Sequence, residues 1–291
     1  MESHLNHTGR KGPFSDQTAL AWLCGIALII GTLAWAMIVV TDTHVPDNVF
    51  GHPIYVIAFL LIIVAGTIAF TPTVRDHGVK ALWLWVLGVG LNLGFTTLTH
   101  ALEVPLYFSI MGSIFVGFAA GPLAAMGVGA FTTVLGSLIT PAILPMVLIF
   151  MIPGAFLWFA MVEGWTATVP RLITTGCVLG MVSGTVLLID YFTVFDGLYH
   201  AGTQHLYNFI SLVESDEIRV MIYHTVVTQF LDKSLLLFFF NAVLQLLLPR
   251  TNIGKVCVEE PARSIATAMR ESHQRANTST ETPSSTQTPA T

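Results

Sequence analysis

Between Glu103 and Glu163 the chain runs for 59 residues without one charged side chain. As helix, at about 1.5 Å per residue, that stretch is roughly 90 Å long, enough to cross a 30 Å hydrocarbon core three times. Composition points the same way: 10% of residues are charged and 54% are apolar, whereas a water-soluble domain carries about a quarter charged residues. The mean hydropathy is +0.73. A transmembrane β-barrel needs strands of about ten residues with alternating polarity, and no such alternation occurs. The expected fold is an all-α, polytopic membrane helix bundle whose surroundings are a lipid bilayer.

Uncharged runs predict eight spans, at 18–40, 53–71, 81–99, 104–120, 122–140, 142–162, 172–189 and 220–248. Within the long uncharged stretch the breaks are expected at Gly121-Pro122 and at Thr140-Pro141, because proline cannot continue a helix and glycine permits a turn. Arg10, Lys11, Arg75, Lys80, Arg171, Arg250, Lys255, Arg263, Arg270 and Arg275 then all fall on one side, which the positive-inside rule makes cytoplasmic. Only Arg219 falls outside, and Lys233 lies within a span. Both termini are therefore expected in the cytoplasm. Residues 1–17 are polar, and 251–291 have the Ser/Thr/Pro-rich composition of a disordered tail. Cys24 and Cys177 lie in spans and Cys257 in the tail, so no pairing is expected.

Two glycine spacings stand out. Gly117 and Gly121 share a helical face, as do Gly90 and Gly94, and small residues at four-residue spacing let another helix approach closely. They suit either packing within the bundle or a docking face for a partner subunit.

The last span carries two polar stripes, His224, Thr228 and Asp232 beside Thr225, Gln229 and Lys233. A charge at a helix centre costs roughly 2.5 to 3.5 kcal/mol on insertion scales, so Asp232 and Lys233 should face protein or a water-filled cavity. Since adjacent residues point about 100° apart, each is expected to pair with a different neighbour. The two form either a structural ion pair between helices or part of a substrate site.

His44, His52, His100, His200, His205 and His224 fall on the outer side, but without metal-ligand spacing, so no metal is expected. The connection 190–219 is long for a linker and carries Asp190, Tyr191, Asp196, Tyr199, His200, Gln204, His205, Tyr207 and Asn208, a mixture typical both of an interfacial aromatic belt and of a small-molecule lid. Asn92, midway along the third span, is read as remote from these groups. Phosphate-binding, dinucleotide, zinc-protease and serine-hydrolase motifs are missing. No enzymatic activity, cofactor or nucleic-acid partner is expected, and any ATPase must be another chain. The competing classes are a membrane sensor or accessory protein, and a lipid-acting enzyme built on Asp196, His200 and His205.

Residues 102–131, with Pro105, Tyr107, Gly112, Ser113, Gly121, Pro122 and Gly127 in place, resemble the stretch through the second and third helices of substrate-capture (S) subunits of energy-coupling factor transporters. Asp232-Lys233 and Pro249-Arg250 also look like that family, and the resemblance covers about 81–250. It implies a six-helix core over 80–250, preceded by two extra helices at 18–72 that either cover a surface of it or mark a variant subgroup. Ser109 stands where the family pattern usually has Asp, and Gly90-x-x-x-Gly94 substitutes for the family's A-x-x-x-A docking motif. The resemblance further implies a vitamin-like ligand bound at the outward face of a bacterial-type plasma membrane protein, with a transmembrane coupling subunit and cytoplasmic ATPases as partners. The implied site is framed by His100 and Glu103, by Asp190, Tyr191, His200, Gln204, His205 and Asn208, and by His224 and Gln229. Docking would use Gly90, Gly94, Gly117 and Gly121.

Overall fold

A computed structural model describes residues 17–41, 44–102, 108–162, 165, 168–195 and 204–246. Among these the secondary structure is helical, with no strand: α1 (Gln17–Val40), α2 (Pro53–His77), α3 (Val79–Ala101), α4 (Met111–Ala120), α5 (Pro122–Ile139), α6 (Val147–Val162), α7 (Val169–Thr193), α8 (Gln204–Ser211) and α9 (Glu217–Leu246). Short 3₁₀ turns at Val49–Gly51, Phe108–Ile110 and Pro141–Ile143 lead into α2, into α4 and toward α6. Residues 1–242 form one compact unit, and 243–291 a second of which only the end of α9 is described.

Five helices contain stretches long and apolar enough to cross a membrane: Ala19–Val40, Pro53–Asp76, Val79–Thr99, Pro122–Ile139 and Val169–Thr193. Phe108–Gly117 and Val147–Leu157 are apolar but shorter. The distribution of side chains suits a hydrocarbon surrounding. On α9 the polar residues His224, Thr225, Thr228, Gln229, Asp232 and Lys233 are buried, while Val226, Phe230, Leu231, Phe238 and Phe239 are exposed. A helix at a water surface does the reverse. α1 likewise turns Ala27 and Ala34 inward and Trp22, Ile29 and Leu33 outward.

Both expected breaks occur. α4 ends at Gly121, whose φ of 90° favours glycine, and Pro122 opens α5. After Thr140 the chain makes the Pro141–Ile143 turn before α6. Several boundaries differ from the expectation. α4 has only 10 residues, about 15 Å of helix, so the described part of 104–120 is half a crossing. α6 starts at Val147, because the prolines at 141 and 145 keep the preceding residues in turns. α2 continues to His77 through an internal Pro72, which removes only one intrahelical donor, and α8 lies within what reads as a plain loop.

α5 is the central element, buried along nearly its whole length. Gly129 is needed there: a methyl at this position would overlap the Phe150 carbonyl oxygen of α6. The most extensive helix contacts are α2 with α5 and α1 with α2. α1 also reaches α6, where Gly31 meets the Met151 sulfur, and α7. The two leading helices thus pack on the rest of the bundle, α2 against α5 and α1 against α6 and α7.

Candidate functional site

Near the C-terminal end of α7, Asp190 is fully buried. Its main-chain carbonyl accepts from the N–H groups of Val194 (2.9 Å) and Phe195 (3.1 Å), closing the helix. Its side-chain Oδ1 accepts a 2.7 Å hydrogen bond from Nε1 of Trp35 on α1. Tyr55, on the first turn of α2, is also fully buried and close enough to Asp190 for the two groups to interact electrostatically. His52, the residue before α2, stands edge-on to Tyr55 with ring centres 6.4 Å apart. The second Asp190 oxygen, the Tyr55 hydroxyl and His52 Nδ1 are buried atoms without hydrogen-bond partners among the described residues. Beside Asp190, Tyr191 is buried, its ring 6.1 Å from that of Phe195.

The polar stripe of α9 packs on α7 through glycines that share one helical face. Gly176 lies against Ser234, Gly180 against the Gln229 backbone and Phe230, and Gly184 against the side chains of Gln229 and Thr225. The two helices are therefore antiparallel, with their chains in close approach. Thr228 satisfies its hydroxyl on the His224 carbonyl at 2.6 Å. Thr225 Oγ1 and Gln229 Oε1 are buried without hydrogen-bond partners among the described residues. From α8, Tyr207 meets the His224 ring edge-on at 6.2 Å between centres.

Asp232 and Lys233 are both fully buried, and they pair with each other: Lys233 Nζ lies 2.6 Å from Asp232 Oδ2. This corrects the expectation that each takes a separate neighbour. The 100° between adjacent side chains is spanned by the four-carbon lysine stem, which folds back along the helix.

Other expected residues are dispersed. Glu103 and His200 lie outside the described residues, as do the side chains of His100, Gln204 and His205, whose backbones end α3 and begin α8. Asn208 is exposed on α8. The four glycines do not form one face. Gly90 and Gly94 are open, with nothing within 4 Å of an added Cβ. Gly117 is taken up internally against Ala125 and Gly154, and Gly121 serves the turn into α5.

Asn92 is far from inert. Its Oδ1 accepts from the N–H groups of Gly112 (2.7 Å) and Ser113 (3.2 Å), at the otherwise uncapped start of α4. Its Nδ2 donates to Ser113 Oγ (2.9 Å) and Thr132 Oγ1 (3.0 Å). One side chain of α3 thereby caps α4 and ties it to α5.

Sequence reasoning missed Trp35, Tyr55 and the α7 glycine row. The row was visible as Gly176, Gly180 and Gly184 at strict four-residue spacing. Trp35 and Tyr55 gave no comparable signal, since aromatic residues near span ends are ordinary interface anchors. Among the described residues no group of three or more His, Cys, Asp or Glu is placed to hold a metal ion. No protein-family model, curated protein or solved structure matches the chain.

Proposed function

We propose that this protein is the substrate-capture subunit of an energy-coupling-factor type transporter. It is multi-pass in a bacterial-type plasma membrane, takes up a vitamin-like small molecule at its outward face, and performs no chemistry on it. Separate coupling and ATPase subunits drive release. In this reading α1–α7 and α9 are eight crossings, both termini are cytoplasmic, and α8 lies at the outer interface with Phe209 toward the headgroups.

One observation carries the binding role. Polar side chains of α7 and α9 turn inward, and among them Asp190 Oδ2, Thr225 Oγ1 and Gln229 Oε1 are buried acceptors without partners among the described residues. Each such atom weakens the folded state by about 1 to 3 kcal/mol unless something donates to it, and a polar ligand would. A mostly apolar surround with a few polar groups is what a small-molecule site needs, and Thr225 and Gln229 supply two of them side by side against Gly184 while Asp190 supplies one at the junction with α1. The transport role rests on the resemblance of 102–131 to the family, and the open Gly90-Gly94 face supports a place for a partner helix.

The test is purification from the native host in mild detergent, followed by mass spectrometry of associated proteins and small molecules. A coupling subunit, ATPases and one bound metabolite are expected. If the chain purifies alone and still performs full uptake in liposomes, the proposal fails.

A further inference from the structure

The proposed function leaves the ligand unnamed, and the Asp190 cluster narrows its chemistry. The Asp190 carboxyl is buried near the end of α7 where helix carbonyls concentrate negative potential, the wrong end for an anion. A carboxyl buried there keeps a negative charge only beside a positive partner. The described lysines and arginines are committed elsewhere or remote, which leaves the His52 imidazole, edge-on to Tyr55, as the one described titratable nitrogen placed by the cluster. Arg75 is 20 residues along α2 from Tyr55, about 30 Å of helix, Lys80 follows it, and Arg171 is as far down α7 from Asp190. Arg219 is exposed and lies 3.7 Å from Glu214 and 3.6 Å from Asp216, and Lys233 pairs with Asp232.

The surrounding groups fit one class of partner. Trp35 donates its ring N–H to the carboxyl, and Tyr55 lies within electrostatic reach of it, so the groups met there are an anion-holding donor and a second oxygen acceptor. Asp190 Oδ2 and the Tyr55 hydroxyl are buried oxygens without donors among the described residues. We propose that the cluster of Trp35, Tyr55 and Asp190, where α1, α2 and α7 meet, binds a small organic ammonium ion that carries at least one N–H. The N–H groups donate to Asp190 Oδ2 and Tyr55, and Trp35 holds the other carboxylate oxygen in place. A quaternary ammonium would leave both acceptors unfilled. This rests on the small-molecule binding role proposed above and specifies its ligand.

The experiment uses the full chain in lipid nanodiscs, with tryptophan fluorescence as readout and Trp35→Phe to identify the signal from that ring. The probes are butylammonium, tetramethylammonium, butan-1-ol and butanoate. Butylammonium is expected to bind at least about tenfold more tightly than the other three, and Asp190→Asn, whose Oδ1 still accepts from Trp35, is expected to lose at least about tenfold in affinity for it, read by calorimetry. Equal binding of butylammonium and butan-1-ol overturns the proposal, as does unchanged affinity in folded Asp190→Asn. Displacement by sodium at equal concentration also overturns it, in favour of an inorganic cation. Should Asp190→Asn fail to fold, Tyr55→Phe is expected to weaken butylammonium binding about threefold or more, and no change there overturns the proposal. A neutral or anionic metabolite found bound to protein that carries its coupling subunit would sink this inference alone. Butylammonium binding to a chain that has no coupling partner in its host would sink the transport role alone.

Discussion

Two buried polar centres in this bundle solve the same problem differently. At the α3–α4–α5 junction, Asn92 uses both its oxygen and its amide group on four hydrogen bonds to Gly112, Ser113 and Thr132. At the α1–α2–α7 junction, Asp190 accepts one from Trp35 and leaves an oxygen without a donor among the described residues, and the Tyr55 hydroxyl within its electrostatic reach also lacks one. A closed network stabilises a fold and has nothing to offer a ligand, whereas an open one weakens the fold and can recognise something. The difference separates a structural centre from a candidate binding centre without reference to any relative.

The largest effect expected follows from breaking the closed centre. Asn92→Ala strands the N–H groups of Gly112 and Ser113 at the start of α4 and leaves a cavity between three helices, a loss of about 3 to 5 kcal/mol. Thermal unfolding in nanodiscs should show a large fall in midpoint, while any folded fraction binds ligand with unchanged affinity. A variant that is stable but binds weakly would erase the distinction between the two centres. Gly112→Ala should be destabilising for the same junction, since its methyl would overlap the Gly88 carbonyl oxygen.

Next comes the ion pair. Asp232→Asn leaves the Lys233 charge buried without its carboxylate, a loss of about 3 kcal/mol on the scale of a charge at a helix centre. Replacing both residues by Leu should recover most of it, as buried pairs often tolerate joint removal. If the double variant instead keeps its stability but loses ligand, the pair belongs to the open, recognising part of the molecule. Unfolding midpoint and ligand affinity of the three proteins decide this.

Trp35→Phe sharpens the comparison from the other side. It removes one hydrogen bond to a centre that is already unsaturated, so stability should fall by about 1 kcal/mol. Ligand affinity should fall by about tenfold, because the carboxylate is no longer held. A stability loss as large as that of Asn92→Ala would mark the Asp190 centre as structural.

How much of this was legible beforehand follows from the kind of information each feature needs. Helix placement needed only local composition, so the uncharged run and the Gly121-Pro122 and Thr140-Pro141 breaks were readable. The short α4 was not, because an apolar run does not record where a turn ends and a helix begins. Trp35 and Asp190 are 155 residues apart, and nothing in either stretch names the other. Asn92 read as one polar residue in an apolar span, whose role depends on which backbone amides it meets. The pairing of Asp232 with Lys233 depends on the reach of the lysine side chain, which the helical angle between adjacent residues does not contain. Glycine spacing told that close approaches exist but not which faces make them, so the α7 row and Gly117 pack inside while Gly90 and Gly94 do not.

That last contrast carries the smallest expected effect on the fold. Gly90 has nothing within 4 Å of an added Cβ and lies on the outer surface of α3, whereas Gly117 meets Ala125 and the Gly154 carbonyl at 3.2 Å. Gly90→Leu should therefore change stability by no more than about 0.5 kcal/mol, the range of surface substitutions, with improved helix propensity on its side. Gly117→Leu has no room and should be destabilising by overpacking, about 1 to 3 kcal/mol. If the open face receives a coupling subunit, Gly90→Leu should keep ligand binding and the unfolding midpoint while losing co-purification of that subunit, because a leucyl side chain holds two helix backbones apart. Retained co-purification in Gly90→Leu and Gly94→Leu would assign these glycines to the lipid-facing surface and move the partner to another helix.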